Sequence, residues 1–146
     1  MVTRPSHFVT SLLACCIMLT GCGGDEVADT YPVSGTVTYQ GRPAEGAEVV
    51  LYRVGDTPLA GKSPIPSGTV GADGAFQLRS FSPGDGAPAG DYQVTVVWPE
   101  PVKPGVNSES VDRADKLRGK YADPGNSGLT ATVSAASTTL PPIDLK

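Results

Sequence analysis

Beyond residue 22 this chain has no histidine, no cysteine and no methionine; His7, Cys15, Cys16, Cys22, Met1 and Met18 all fall at or before that position. If the leading segment is removed, no Ser-His-Asp or Cys-His arrangement survives to carry nucleophilic catalysis. Zinc sites built from His and Cys are excluded with it. Disulfides are excluded too, so the domain is held by its apolar core alone. Basic charge is scarce: 11 Lys and Arg stand against 15 Asp and Glu, for a formal net charge of −4. Such a balance is unsuited to nucleic acid, which needs a basic surface. Long apolar runs are also missing. The one apolar stretch, Phe8 to Thr20, is shorter than the ~20 residues that cross a bilayer as a helix. No enzyme class is indicated, and no metal or cofactor is expected. A pair of carboxylates acting as acid and base is the one catalytic option left.

What is present begins with Leu19-Thr20-Gly21-Cys22, which resembles a bacterial lipobox. Arg4 supplies a positive n-region, and Phe8–Thr20 has the length of a signal-peptide h-region. Residues 1–21 are therefore expected to be a lipoprotein signal peptide, with lipidation on Cys22. Leu12-Leu13-Ala14-Cys15 also matches, but it halves the h-region and leaves apolar residues at the new N-terminus. An uncleaved anchor is disfavoured by the same short length. Residues 22–30 read as the lipidated N-terminus and a flexible acidic tether. The expected location is the bacterial cell envelope, facing the periplasm or exterior, with the membrane as a partner through Cys22.

From Tyr31 to Leu145 the pattern is that of short strands. Val33, Gly35, Val37 and Tyr39 alternate with polar residues; Val49 and Leu51 share a face, as do Phe76 and Leu78. Tyr92, Val94, Val96 and Trp98 line one face of the clearest strand. Asp73-Gly74 signals a hairpin turn, and it lacks the further acids and late Glu of an EF-hand calcium loop. Residues 99–128 interrupt the pattern, with a short helix expected over 110–118 stopped by Gly119. Pro141-Pro142 confine the last strand to an edge. About seven short antiparallel strands with one long irregular insertion predict an all-β, Ig-like or prealbumin-like sandwich over residues 31–146.

Four stretches carry a family resemblance: Val33-Ser34-Gly35-Thr36-Val37, Gly41-Arg42-Pro43-Ala44-Glu45-Gly46-Ala47-Glu48-Val49, Gly71-Ala72-Asp73-Gly74-Ala75-Phe76-Gln77-Leu78, and Gly90-Asp91-Tyr92-Gln93-Val94-Thr95-Val96. In this order they resemble the carboxypeptidase regulatory-like domain, a transthyretin-like sandwich, over about residues 31–98. The resemblance implies a non-catalytic folding, adhesion or carbohydrate-contact module; fold alone does not assign a role. Gly71 departs from the family's turn, and the chain continues past its usual end. Related adhesin domains carry Lys–Asn cross-links. The first strand here has no Lys and the last no Asn, so that cross-link is rejected.

Two constellations are candidate surfaces for an envelope protein or a glycan. Arg113, Lys116, Arg118 and Lys120 suit an anionic group; the plainer reading is a solvated face with Asp112–Lys116 as an i, i+4 pair. Trp98, Tyr121, Asp123 and Asn126 combine aromatic faces with amide and carboxylate groups, as sugar sites do. The plainer reading there is that Trp98 continues the core face and Tyr121 anchors the loop. The leading expectation is a non-enzymatic interaction or structural protein. A carbohydrate-binding module is the alternative, and a paired-carboxylate hydrolase is third.

Overall fold

The computed structural model describes residues 28–55, 64–102 and 113–146. The leader, Cys22, most of the expected tether and Asp112 lie outside them. The described chain is all β: β1 (Thr30–Tyr31), β2 (Val33–Tyr39), β3 (Arg42–Pro43), β4 (Glu48–Arg53), β5 (Ser67–Thr69), β6 (Ala75–Gln77), β7 (Ala87–Pro88), β8 (Gly90–Val97), β9 (Leu129–Val133), β10 (Thr138–Thr139) and β11 (Ile143–Leu145).

These strands form a sandwich. One sheet runs β5-β4-β8-β9, antiparallel throughout. The other is centred on β2, with β3 and β6 antiparallel to it and β10 and β11 parallel to it. β1 and β7 make a small separate pair. The period-two pattern explains the packing, because alternate side chains of a strand face one way. Val37, Val49, Leu51, Leu78 and Val96 are fully buried, and Phe76, Tyr92 and Val94 nearly so. Each such side chain contributes about 1.5–3 kcal/mol by leaving water. Gly35 is required by this core: a Cβ there would lie 2.7 Å from the Phe76 ring. The Tyr92 hydroxyl donates to the Pro88 carbonyl at 2.7 Å, the tyrosine-corner device of other sandwiches.

Three details differ from the sequence expectation. Among the described residues the strands number eleven rather than about seven: the two-residue strands β1, β3 and β7 add to the count, and the final strand is broken. Pro141 and Pro142 have no N–H to give the ladder, so it is split into β10 and β11, each paired with β2. It is an edge strand as expected, yet parallel to its neighbour. The Gly71–Gly74 turn joins two sheets, since β5 pairs with β4 while β6 pairs with β2. The expected helix over 110–118 is absent from its described part. The Asp115 carboxylate accepts the N–H groups of Leu117 and Gly119, and Lys116 N–H bonds the Trp98 carbonyl. Those bonds replace the helical pattern.

Strand direction gives the sandwich two distinct poles. At one, the chain enters through β1, β4 ends, β5 and β8 begin, and the 80–90 loop lies. At the other, β2 and β8 end and the 113–127 segment packs. β8 spans both with 8 residues, a separation of about 25 Å at the rise of an extended strand.

Candidate functional site

Trp98 leaves β8 at the pole remote from the chain's entry. Residues 113–116 run back along it: Pro99 bridges Asp115, Glu100 N–H bonds the Ala114 carbonyl at 3.0 Å, and Lys116 N–H bonds the Trp98 carbonyl at 2.8 Å. Asp115 locks the crossing. Its carboxylate accepts the N–H groups of Trp98 at 2.8 Å, Leu117 at 3.0 Å and Gly119 at 2.8 Å. Desolvation raises the Asp115 pKa, but these backbone donors outweigh it and hold the group below the ordinary aspartate value. Arg118 and Gly119 take positive φ values of 54° and 74°, which turns the chain so that Leu117 enters the core.

Three of the candidate residues come together here. The Trp98 indole N–H donates to the Glu45 carbonyl at 2.8 Å, and its ring meets Tyr39 edge-on with centroids 5.6 Å apart. The Lys116 ammonium lies 4.4 Å from the Trp98 ring centroid, within cation–π range. Arg113 lies 3.8 Å from the Glu48 carboxylate. Arg113 and Lys116 line a cleft of about 410 Å³ with Glu45, Gly46, Pro99 and Pro101. Its lining is more apolar than polar, and combines the two cations and Glu45 with Pro99 and Pro101.

The other candidates are placed separately. Tyr121 is buried, and its hydroxyl meets the backbone of Lys146: it accepts from the N–H at 3.2 Å and faces the carbonyl at 3.4 Å. Lys120 donates to that same carbonyl at 3.0 Å and lies over the Tyr121 ring at 5.3 Å. Asp123 and Asn126 form a self-contained turn, the Asn126 amide donating to the Asp123 carboxylate at 2.7 Å. Arg118 is exposed on the turn made by Asp115. Tyr39, Glu45 and Glu48 were not among the sequence candidates. Their signal was available in Tyr39, an aromatic ending the first alternating strand. Glu45 takes part through a main-chain carbonyl, for which side-chain type carries no signal.

A second groove of about 460 Å³ opens where β5 and β6 part into different sheets, lined by Glu48, Val50, Ser67, Gly68, Thr69, Gln77 and Arg79. Among the described residues no cluster of three or more His, Cys, Asp or Glu is arranged to hold a metal ion. Among them, too, no helix is long and apolar enough to cross a membrane.

No family model matches this chain, and no curated protein does. Two solved structures are similar to it in part. A DUF3823 family protein from Parabacteroides merdae aligns at 21% identity and TM-score 0.35, over 78% of this chain and 46% of that one. The major pilin subunit of Bacillus cereus aligns at 17% identity and TM-score 0.42, over 79% of this chain and 29% of that one. The chain thus spans less than half the length of either.

Proposed function

We propose that this chain is a non-enzymatic, lipid-anchored protein of the bacterial cell envelope, whose carboxypeptidase regulatory-like sandwich is an interaction or structural module. The observation that carries this reading is the polarity of the domain. The chain arrives from Cys22 at one pole, and the Trp98–Arg113–Lys116 cluster stands at the other. A surface so placed points away from the anchoring membrane, toward envelope proteins or glycans. The two carboxylates with lowered pKa, Asp85 and Asp115, are acceptors for backbone amides, a structural use that supports a non-catalytic role.

The anchor is tested by expressing the chain with its leader in a bacterium and measuring intact mass. The mature protein should begin at Cys22 and carry lipid, and Cys22→Ser should leave it unprocessed and without lipid. Retention of residues 1–21 on the wild-type chain overturns the anchor. The surface is tested by pull-down from native membranes with wild type and Lys116→Glu. Capture should fall in the variant while the melting temperature stays. Binding on a glycan array that Trp98→Ala abolishes without unfolding the domain moves the reading to a carbohydrate-binding module.

A further inference from the structure

Among the described residues, the large apolar side chains most exposed to solvent are Tyr52 (38%), Val54 (57%), Ile65 (61%) and Phe81 (53%). They come from three separate segments, yet all lie at the pole where the chain enters. β4 and β5 are paired with Val50 opposite Ser67, and Leu51 N–H still bonds the Pro66 carbonyl; continuing that register sets Tyr52 opposite Ile65. Ser67 in turn bridges Arg79, with Ile65 and Phe81 each two residues further along. Val54 is held at this end by its N–H bond to the Asp91 carbonyl.

Phe81 is held out by a built loop. The Asp85 carboxylate accepts the N–H groups of Ser80 at 2.7 Å, Phe81 at 2.9 Å and Ser82 at 2.9 Å. Ser80 Oγ closes the loop by donating to the Gly86 carbonyl at 2.7 Å. Gly86 lies directly beneath the incoming chain at Tyr31. The aromatic ring and the chain's entry are therefore fixed on the same small structure.

Seven residues, 23–29, separate Cys22 from β1. Fully extended they reach about 25 Å, so the entry pole stays within that distance of whatever holds Cys22. Grouped exposed apolar side chains mark an interaction face, and aromatic and aliphatic residues at a bilayer surface sink into the boundary between headgroups and acyl chains. We infer that the pole bearing Tyr52, Val54, Ile65 and Phe81 is a membrane-contact face, which seats the sandwich upright on the bilayer that anchors it. This rests on the lipid anchor proposed above. Upright seating holds Trp98, Arg113 and Lys116 clear of the surface.

The full chain, processed in a bacterium, is purified in detergent, its lipid confirmed by mass, and reconstituted into phosphatidylethanolamine–phosphatidylglycerol vesicles containing a lipid with a quencher on its acyl chain. Cys15 and Cys16 leave with the leader and the Cys22 thiol is consumed by lipid, so an introduced cysteine is the single reactive thiol. A polarity-sensitive fluorophore is placed by Ser82→Cys at the entry pole or by Ala72→Cys at the remote pole. Expected are a blue shift and quenching at position 82, neither at position 72, and loss of both on adding Phe81→Ser and Ile65→Ser. Those two side chains are exposed, so the melting temperature should hold. Lipid on Cys22 with an unquenched probe at 82 overturns the contact face and spares the anchor. Quenching that survives the double substitution, or equals that at 72, reduces it to tether proximity and overturns it. A probe at 82 already blue-shifted without vesicles shows the face covered by the chain itself or a second copy, and also overturns it. A mass lacking lipid removes the anchor and the inference together.

Discussion

Replacing Asp115 with alanine should destabilise the domain by about 2 kcal/mol and loosen the remote pole selectively. The carboxylate serves three backbone N–H groups, and its bonds to Trp98 and Leu117 are partly buried, whereas that to Gly119 is exposed. An exposed N–H regains water when its acceptor goes, so the third bond adds little. The two shielded ones lose a charged acceptor, and at about 1 kcal/mol each after solvent compensation they sum to the upper range of a lost helix cap. In a domain of this size 1 kcal/mol moves the melting temperature by about 4 °C, so a fall of about 8 °C is expected. Thermal unfolding by circular dichroism reads the total, and amide exchange reads the place. Trp98, Leu117 and Gly119 should exchange faster, and Val49 and Val94 by no more than the global loss of stability allows. Asp123→Ala is the comparison, because that carboxylate bonds only within its own turn, to Gly125 and Asn126, and its loss should cost far less. A melting temperature for Asp115→Ala within error of wild type would refute the argument that this side chain ties the insertion to β8.

Phe76 is 3% exposed, and Phe76→Ala should cost about 3–5 kcal/mol through lost burial and the cavity left behind; a melt indistinguishable from wild type would show that its ring is not in the core. Gly86→Ala should displace β1, because a Cβ at this φ of +84° would lie 1.7 Å from the Tyr31 carbonyl oxygen. Protection of the Tyr31 and Ala87 amides should then be lost, and unchanged exchange at both would refute the close approach.

The facing of the main strands was legible because alternation needs only local sequence. Val33, Val37, Val49, Leu51, Phe76, Leu78, Tyr92, Val94 and Val96 all point inward, as period two requires. Partner choice was not legible, since it is settled by non-local closure. Nothing local in Thr138 or Ile143 states that they join β2 in parallel, and nothing in Gly71–Gly74 states that its arms enter different sheets. The 110–118 helix was expected from Val111, Ala114 and Leu117 at helical spacing. Apolar spacing cannot register that Asp115, in the middle of that stretch, has backbone donors on two sides to satisfy. At the candidate site, the nearness of Lys116 to Arg113 was readable from the chain, but the junction of both with Trp98 was not. It depends on 113–116 folding back along 98–100, an antiparallel bridge across residues with no strand pattern.

The two poles share one device, and it makes a last prediction. Each irregular segment is gathered around an aspartate: Asp85 holds Ser80 to Ser82 and Asp115 holds Trp98 to Gly119. In both, desolvation works to raise the pKa and several backbone donors together lower it below the ordinary value. A group whose folded pKa lies below its unfolded value of about 3.9 contributes stability that is present above that pH and lost as pH falls through the folded value. The sandwich interior does not share this dependence, being built from main-chain pairing and from side chains such as Leu51, Val94 and Val96 that carry no charge. Acidification should therefore act on both poles before the core. Between pH 7 and about 4 amide protection should be constant once intrinsic exchange is corrected for. Below about pH 4 Ser80, Phe81, Ser82, Leu117 and Gly119 should exchange as unfolded peptide while β4 and β8, though weakened, remain protected. Loss of β4 and β8 protection at the same pH would mean that the aspartate-held loops and the core are one cooperative unit, and would refute the separation.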